Sequence, residues 1–233
     1  MTTPKPTWEI GKAEFLDRLG CSEKKFQENL FLPKVKDVSH IIPLRFLETV
    51  EAMVPMSHEM LRYFVSRIKT LGGEAPFHDS SLRLFKIDAN HLKIGQRYVY
   101  RENYQSLLET HSSLFGKFVI SCGISDLGAY FVLGKGKDGL PALACYTPPF
   151  IEQHNHHIVI MDGIHRNYIT KQLGATITAI LIGDVAVPFP CGMRGWEEIK
   201  VISVDQKPRE ISERYFELNK SLFRDLKYLG IDG

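Results

Sequence analysis

The fold is decided by the stretch His157-Ile158-Val159-Ile160-Met161-Asp162-Gly163-Ile164-His165-Arg166 and by the residues that follow it as far as position 182. The apolar run at 157–161 predicts a buried strand. Asn167 to Leu173 predicts a helix that Gly174 ends, and the β-branched run from Thr176 to Ile182 predicts another strand. The predicted order is therefore strand, tight turn, helix and strand.

The turn at 162–166 has the chemistry of an anion-binding helix start. The first N–H groups of a helix have no intrahelical partners, and the helix dipole adds partial positive charge at the same end. Gly163 lets a ligand approach the backbone closely, and His165 and Arg166 offer donors that match phosphate oxygens. These features predict a phosphate cradle. In the alternative interpretation Asp162 only caps the helix and Arg166 is solvated.

The chain divides into three predicted regions, and the central one carries this turn. Residues 1–80 predict mainly helices, including one from Ser57 to Leu71. Residues 81–187 predict a mixture of strands and helices, and residues 188–233 predict a C-terminal helical tail with one helix over 208–229. Within the central region we predict strands at 82–87, 117–124, 129–133 and 141–146 and a helix at 101–114. We therefore expect the α+β class, with a central mixed sheet and flanking helices.

Length, composition and charge are those of an ordinary folded protein. The chain has 233 residues, 44% hydrophobic and 24% charged, with a net charge of +2. That charge neither requires nor excludes nucleic acid. The four cysteines are widely spaced and predict neither a disulfide framework nor a zinc knuckle. Because no apolar stretch reaches about 18 residues, we expect a cytoplasmic protein with no membrane partner.

Asp162-Gly163-Ile164-His165-Arg166 resembles the D-G-x-H-R signature of the ParB/sulfiredoxin superfamily, whose members bind nucleotide phosphates at this turn. The resemblance covers roughly residues 82–187. Sulfiredoxins carry a cysteine where this chain has Ile164, so the resemblance does not extend to sulfinic-acid reduction. ParB proteins have a turn that is richer in arginine. The match is closest to the serine-kinase-like and uncharacterised branches, which implies ATP or ADP with Mg²⁺ as the ligand.

The resemblance and the anion chemistry together assign roles to individual residues. Gly163, Ile164, His165 and Arg166 are expected to bind phosphate, and Asp162 is expected to fix the turn or to hold Mg²⁺. Asp162, His165 and Glu152 are the candidate catalytic residues, since phosphoryl transfer needs a group that positions or deprotonates the acceptor. The expected function is an ATP-dependent phosphotransferase or NTPase with an unidentified small-molecule or protein acceptor.

A second hypothesis places DNA on the N-terminal region. Ala13 to Leu30 has the apolar spacing of a helix-turn-helix, and Lys24 and Lys25 then lie on a second helix that can face DNA. This predicts a DNA-binding regulator or a partition-type or ParB-type nuclease-like protein. A plain αα-hairpin without DNA contact predicts the same spacing.

Overall fold

The computed structural model describes residues 10–30, 38, 40–103, 105 and 128–226. Four α-helices in this part of the chain are α1 (Lys12–Leu19), α2 (Glu23–Leu30), α3 (His58–Arg67) and α4 (Ile164–Gln172). The strands before residue 128 are β1 (Ile10–Gly11), β2 (His40–Ile41), β3 (Leu47–Pro55), β4 (Lys69–Thr70), β5 (Ser81–Asp88), β6 (Lys93–Ile94) and β7 (Tyr98–Tyr100). The later strands are β8 (Tyr130–Gly136), β9 (Pro141–Tyr146), β10 (Phe150–His154), β11 (His157–Ile160), β12 (Thr176–Gly183), β13 (Lys200–Ile202) and β14 (Arg224–Asp225).

Contacts divide the chain into two compact units. The first takes its described residues from 1–69, 129–147 and 225–232, and the second takes them from 70–128 and 148–224. This division differs from the predicted boundaries, because residues 129–147 pair with strands from the N-terminal region. None of the helices in the described ranges combines the length and the apolar character needed to cross a membrane.

The first unit contains a five-stranded sheet in the order β1-β2-β9-β8-β3 and the helices α1, α2 and α3. Its core contains Phe15, Phe26, Phe64 and Phe131, whose rings contact one another at centroid distances of 5.4–5.9 Å. The described part of the region before residue 80 is therefore not purely helical, since it also contributes β1, β2 and the nine-residue strand β3 to this sheet.

The second unit contains a five-stranded mixed sheet in the order β5-β12-β10-β11-β6. β10 runs parallel to β12 and antiparallel to β11, and β12 runs antiparallel to β5 over eight residues. Helix α4 contributes Ile164 to a core that also contains Ile151, Ile177 and Trp196. Mixed sheets with few helices in the described residues are compatible with the predicted α+β class. The predicted strand, turn, helix and strand are confirmed as β11, the 161–163 turn, α4 and β12.

The predicted C-terminal helix over 208–229 is wrong for its described part. Residues 208–226 form short 3₁₀ turns at Ile211–Arg214 and Lys220–Leu222, joined by extended backbone. The backbone N–H of Arg97 donates to Arg214 O (2.9 Å), and that of Phe216 donates to Gly95 O (2.9 Å). These long-range bonds replace the intrahelical ones, because helix propensity is weak beside tertiary pairing. The predicted helix at 101–114 is helical at residues 101–103 and 105. Its remainder and the predicted strand at 117–124 lie outside the described residues.

Candidate functional site

The turn between β11 and α4 requires glycine at position 163. Gly163 has φ 84° and ψ 31°, a left-handed conformation that residues with a Cβ rarely adopt. A Cβ on Gly163 would lie 2.8 Å from Pro149 Cβ, so the space is closed as well. The backbone N–H groups of Met161 and Asp162 both donate to Phe150 O, at 2.9 Å and 3.1 Å. Phe150 thereby fixes the turn to the start of β10.

Helix α4 begins without the usual stabilisation of its N-terminus. Gly163 is the N-cap residue, no side chain of the described residues caps the helix, and its first turn contains no acidic residue. That first turn instead contains Arg166, whose side chain is only 6% exposed. A cation at the positive end of a helix dipole is unfavourable, and burying it adds a desolvation cost. The arrangement concentrates positive potential at the start of α4.

Asp162 supplies a negative charge beside Arg166. Asp162 Oδ2 lies 3.8 Å from Arg166 Nη2, which is close enough for attraction but too long for a hydrogen bond. This oxygen is buried and has no hydrogen-bond partner among the described residues. Burial raises the pKa of Asp162, whereas Arg166 and the Gly163 N–H oppose that rise. A buried carboxylate oxygen without a hydrogen-bond partner is stabilised when a ligand or a metal ion binds to it.

His165 is a neutral hydrogen-bonding group in this site. Burial, together with the smaller effects of the positive charges of Arg166 and Lys207, lowers its pKa to about 4. Its Nε2 accepts a hydrogen bond from the backbone N–H of Tyr100 (3.1 Å), and the two rings lie 5.8 Å apart. Because Nε2 is the acceptor, the neutral ring carries its proton on Nδ1. His165 can therefore donate from Nδ1, but it adds no positive charge near pH 7.

The C-terminal segment adds polar groups that sequence reasoning missed. Besides burial, the positive charge of Lys207 lowers the pKa of His165, and the negative charge of Asp162 raises the pKa of the Tyr215 hydroxyl. The Tyr215 hydroxyl accepts a hydrogen bond from Gln96 Nε2 (3.3 Å), and burial raises its pKa, so it stays protonated. These residues were assigned to a helical tail, which gave no reason to place them beside the turn. Local sequence patterns contain no signal for neighbours that are this distant in the chain.

Glu152 is not brought to the turn. Side chains alternate across a strand, and its neighbour Ile151 faces the core that contains Ile164 of α4. Glu152 therefore points to the opposite face of the sheet, where it is 0% exposed. Arg224 binds it through two hydrogen bonds, of 3.1 Å from Nε and 2.8 Å from Nη2, and His154 Nε2 lies 2.7 Å from Oε2. This geometry indicates a buried ion pair away from the turn, and the catalytic role of Glu152 stays a prediction.

The two lysines of the DNA hypothesis lie on α2 and have different surroundings. Lys24 is exposed and lies 3.9 Å from Glu28. Lys25 Nζ contacts Glu59 Oε1 (2.7 Å) and the Tyr63 hydroxyl (2.5 Å), and hydrogen bonds to these two groups raise the pKa of Lys25. The ammonium group of Lys25 thus joins α2 to α3. This contact is expected for an αα-hairpin packed against a third helix.

A metal ion would have few protein ligands at the turn. Within the described ranges no group of three or more His, Cys, Asp or Glu side chains is arranged to hold a metal. Asp162 Oδ2 can nevertheless supply one oxygen, and Mg²⁺ is commonly held by one or two carboxylates together with substrate phosphates and water. The residues therefore fit a Mg²⁺ ion that arrives with a phosphate ligand, and they do not form a preassembled metal cage.

The geometry of the turn can thus bind an anion through the start of α4, Arg166 and the Nδ1–H of His165, with Asp162 beside them. In comparisons with known proteins, the chain matches no family model, no curated protein and no solved structure.

Proposed function

We propose that the protein binds a nucleoside di- or triphosphate, ATP or ADP together with Mg²⁺, at residues 162–166. One observation carries the proposal, namely a buried arginine in the uncapped first turn of a helix. Arg166, the helix dipole and Lys207 place positive charge around this turn, and Asp162 is the nearby negative charge identified above. A phosphate group is favoured by positive charge at a helix start and can accept the N–H hydrogen bonds there.

The proposed chemistry is phosphoryl transfer to an acceptor or hydrolysis of the nucleotide. Bound Mg²⁺ would neutralise charge on the phosphates. The backbone N–H of Ile164, in the turn set by Gly163, donates to phosphate, Arg166 holds phosphate oxygens with its planar guanidinium group, and His165 donates from Nδ1. Asp162 has a raised pKa and can orient an acceptor hydroxyl or take its proton. The resemblance of the turn to the D-G-x-H-R signature of the ParB/sulfiredoxin superfamily supports the same assignment.

The test is calorimetric titration of ATP, ADP and CTP with Mg²⁺ into the wild-type protein and into Arg166→Ala. Losing a charge-assisted phosphate contact weakens binding by about 1.5–3 kcal/mol, which is roughly ten-fold or more. Arg166→Lys keeps the positive charge but loses the planar guanidinium group, which can bind phosphate through two hydrogen bonds. We therefore expect its affinity to lie between those of the wild type and Arg166→Ala. Lys171→Ala is the matched control, because Lys171 lies in the last turn of the same helix and should not affect binding.

Turnover is measured separately, by release of inorganic phosphate from bound ATP. Binding without release would leave a nucleotide-binding protein and remove the enzymatic part of the proposal. If the wild-type protein binds none of the three nucleotides while it is folded, the proposal as a whole is refuted. Equal losses in Arg166→Ala and Lys171→Ala would refute the specific role of Arg166.

A further inference from the structure

Lys207 is held in place by a short hydrogen-bonded turn. Ser203 Oγ donates to Glu102 Oε1 (2.6 Å), and the backbone N–H of Val204 donates to Glu102 Oε2 (2.9 Å). Ser203 and Gln206 form a reciprocal capping box at the start of this turn, and the backbone N–H of Lys207 donates to Val204 O (3.1 Å). The backbone that carries Lys207 is therefore fixed to Glu102, two residues after Tyr100.

The Lys207 side chain reaches towards the start of α4. Its Nζ lies 5.2 Å from the centroid of the Tyr100 ring, a cation–π distance, and the ring of Tyr100 lies beside that of His165. The ammonium group and His165 thus both contact the Tyr100 ring. The charges of Arg166 and Lys207 both act on His165, so both cations lie near the same side chain.

Lys207 is also suited to meeting a ligand from solvent. Its side chain is exposed, whereas that of Arg166 is buried, so the two cations lie at different depths. A lysine has a compact charge on a flexible side chain, so its ammonium group can contact a terminal phosphate in several orientations. A ligand with two or more linked phosphates could contact Arg166 with one phosphate and Lys207 with the next.

We propose that Lys207 is a second phosphate-binding residue, which contacts the phosphate next to the one held by Arg166 and selects nucleoside di- and triphosphates over monophosphates. This inference rests on the proposed function. Glu102 is the corresponding positioning residue, because it acts on the ligand only through the 203–207 turn.

The experiment titrates ADP and AMP, each with Mg²⁺, into the wild-type protein, Lys207→Ala, Glu102→Gln and Lys200→Ala. Lys200 is the matched control, because it is an exposed lysine on β13, in the same segment as Lys207. In Lys207→Ala we expect the affinity for ADP to fall about ten-fold and that for AMP to stay within two-fold. Glu102→Gln should lower the ADP-to-AMP preference in the same direction by a smaller factor, and Lys200→Ala should change neither affinity.

The ADP-to-AMP ratio separates the two proposals. If the wild-type protein binds ADP but Lys207→Ala leaves the ratio unchanged, the inference on Lys207 is wrong and the proposed function stands. An equal loss of affinity for ADP and for AMP would also overturn the inference on Lys207. That result would indicate that Lys207 acts through its long-range positive charge and not through a contact with a second phosphate. If the folded wild-type protein binds neither ligand, both proposals fail. The urea unfolding midpoint of Lys207→Ala should stay within about 0.3 M of the wild type, because an exposed cation–π contact contributes only weakly to stability.

Discussion

Glu152 and Arg224 form a buried ion pair, and we expect its disruption to lower the stability of the protein without changing ligand binding. The Arg224 guanidinium group donates twice to Glu152 and also to the carbonyl oxygens of Val187, Pro188 and Leu222. The two side chains are 0% and 4% exposed. Replacing Glu152 with glutamine keeps the shape of the side chain but leaves a buried guanidinium group without its counter-charge.

Breaking a buried ion pair by removing one partner costs about 3–5 kcal/mol. We expect Glu152→Gln to fall near the lower limit, at about 3 kcal/mol, since three backbone carbonyls still solvate Arg224. Urea unfolding measures the loss. With a slope of about 3 kcal/mol per molar urea, a loss of this size moves the midpoint down by about 1 M. The double variant Glu152→Gln/Arg224→Met should recover part of the stability, because it removes the uncompensated charge.

The same variant tests the catalytic role that the sequence suggested for Glu152. Because Glu152 faces away from α4, affinity for ADP and any release of phosphate should stay within about two-fold of wild type under conditions where the variant is folded. A midpoint within experimental error of the wild type would refute the structural reasoning. Loss of turnover at unchanged stability would restore the catalytic hypothesis.

Two further predictions concern the turn itself. Gly163→Ala should destabilise the protein by more than the cost of about 1–2 kcal/mol for a left-handed residue, because the new Cβ meets Pro149, and it should weaken nucleotide binding. Gly174→Ala, at φ 60° in open space, is the control in urea unfolding and should show only the left-handed cost. The lowered pKa of His165 predicts stability that is fully present above about pH 6.5 and is lost as the pH falls towards 4, by at most about 1.4 kcal/mol per pH unit. Unfolding of His165→Gln at pH 7 and pH 5 should show a shallower loss, and an identical loss in both proteins would contradict the assignment.

The elements that could be predicted from the sequence are those fixed by local signals. Helix α3 was predicted from Ser57 to Leu71 and runs from His58 to Arg67, with Ser57 Oγ accepting the N–H of Met60. Strand β12 and the end of α4 were set by β-branched residues and by Gly174. The start of α4 lies earlier than predicted, at Ile164, because Gly163 is itself the N-cap residue.

The elements that could not be predicted depend on partners distant in the chain. Residues 130–146 form the hairpin β8–β9, which was predicted to belong with the central sheet, but β8 pairs with β3 and β9 pairs with β2. The apolar spacing at 208–229 is helical, yet Phe216 packs in the core of the second unit through extended backbone. Local periodicity contains no information on such pairing, and for this reason Lys207 and Tyr215 were missed as neighbours of the turn.

Besides its proposed role toward the acceptor, Asp162 can affect nucleotide binding in two ways, and Asp162→Asn distinguishes the two. If Asp162 Oδ2 is a ligand of Mg²⁺, the variant should bind ADP with the same affinity in the presence of Mg²⁺ and of EDTA, because the ion loses its protein ligand. If the carboxylate only offsets Arg166, removing its charge should strengthen ADP binding in both solutions, since the phosphates no longer face a nearby carboxylate. The two roles therefore predict different changes for the Mg²⁺-containing titration, a loss in one case and a gain in the other. Full Mg²⁺ enhancement in Asp162→Asn would refute the metal role. A loss of affinity confined to the Mg²⁺ solution would establish that the buried oxygen of Asp162, which has no hydrogen-bond partner among the described residues, is completed by the metal ion.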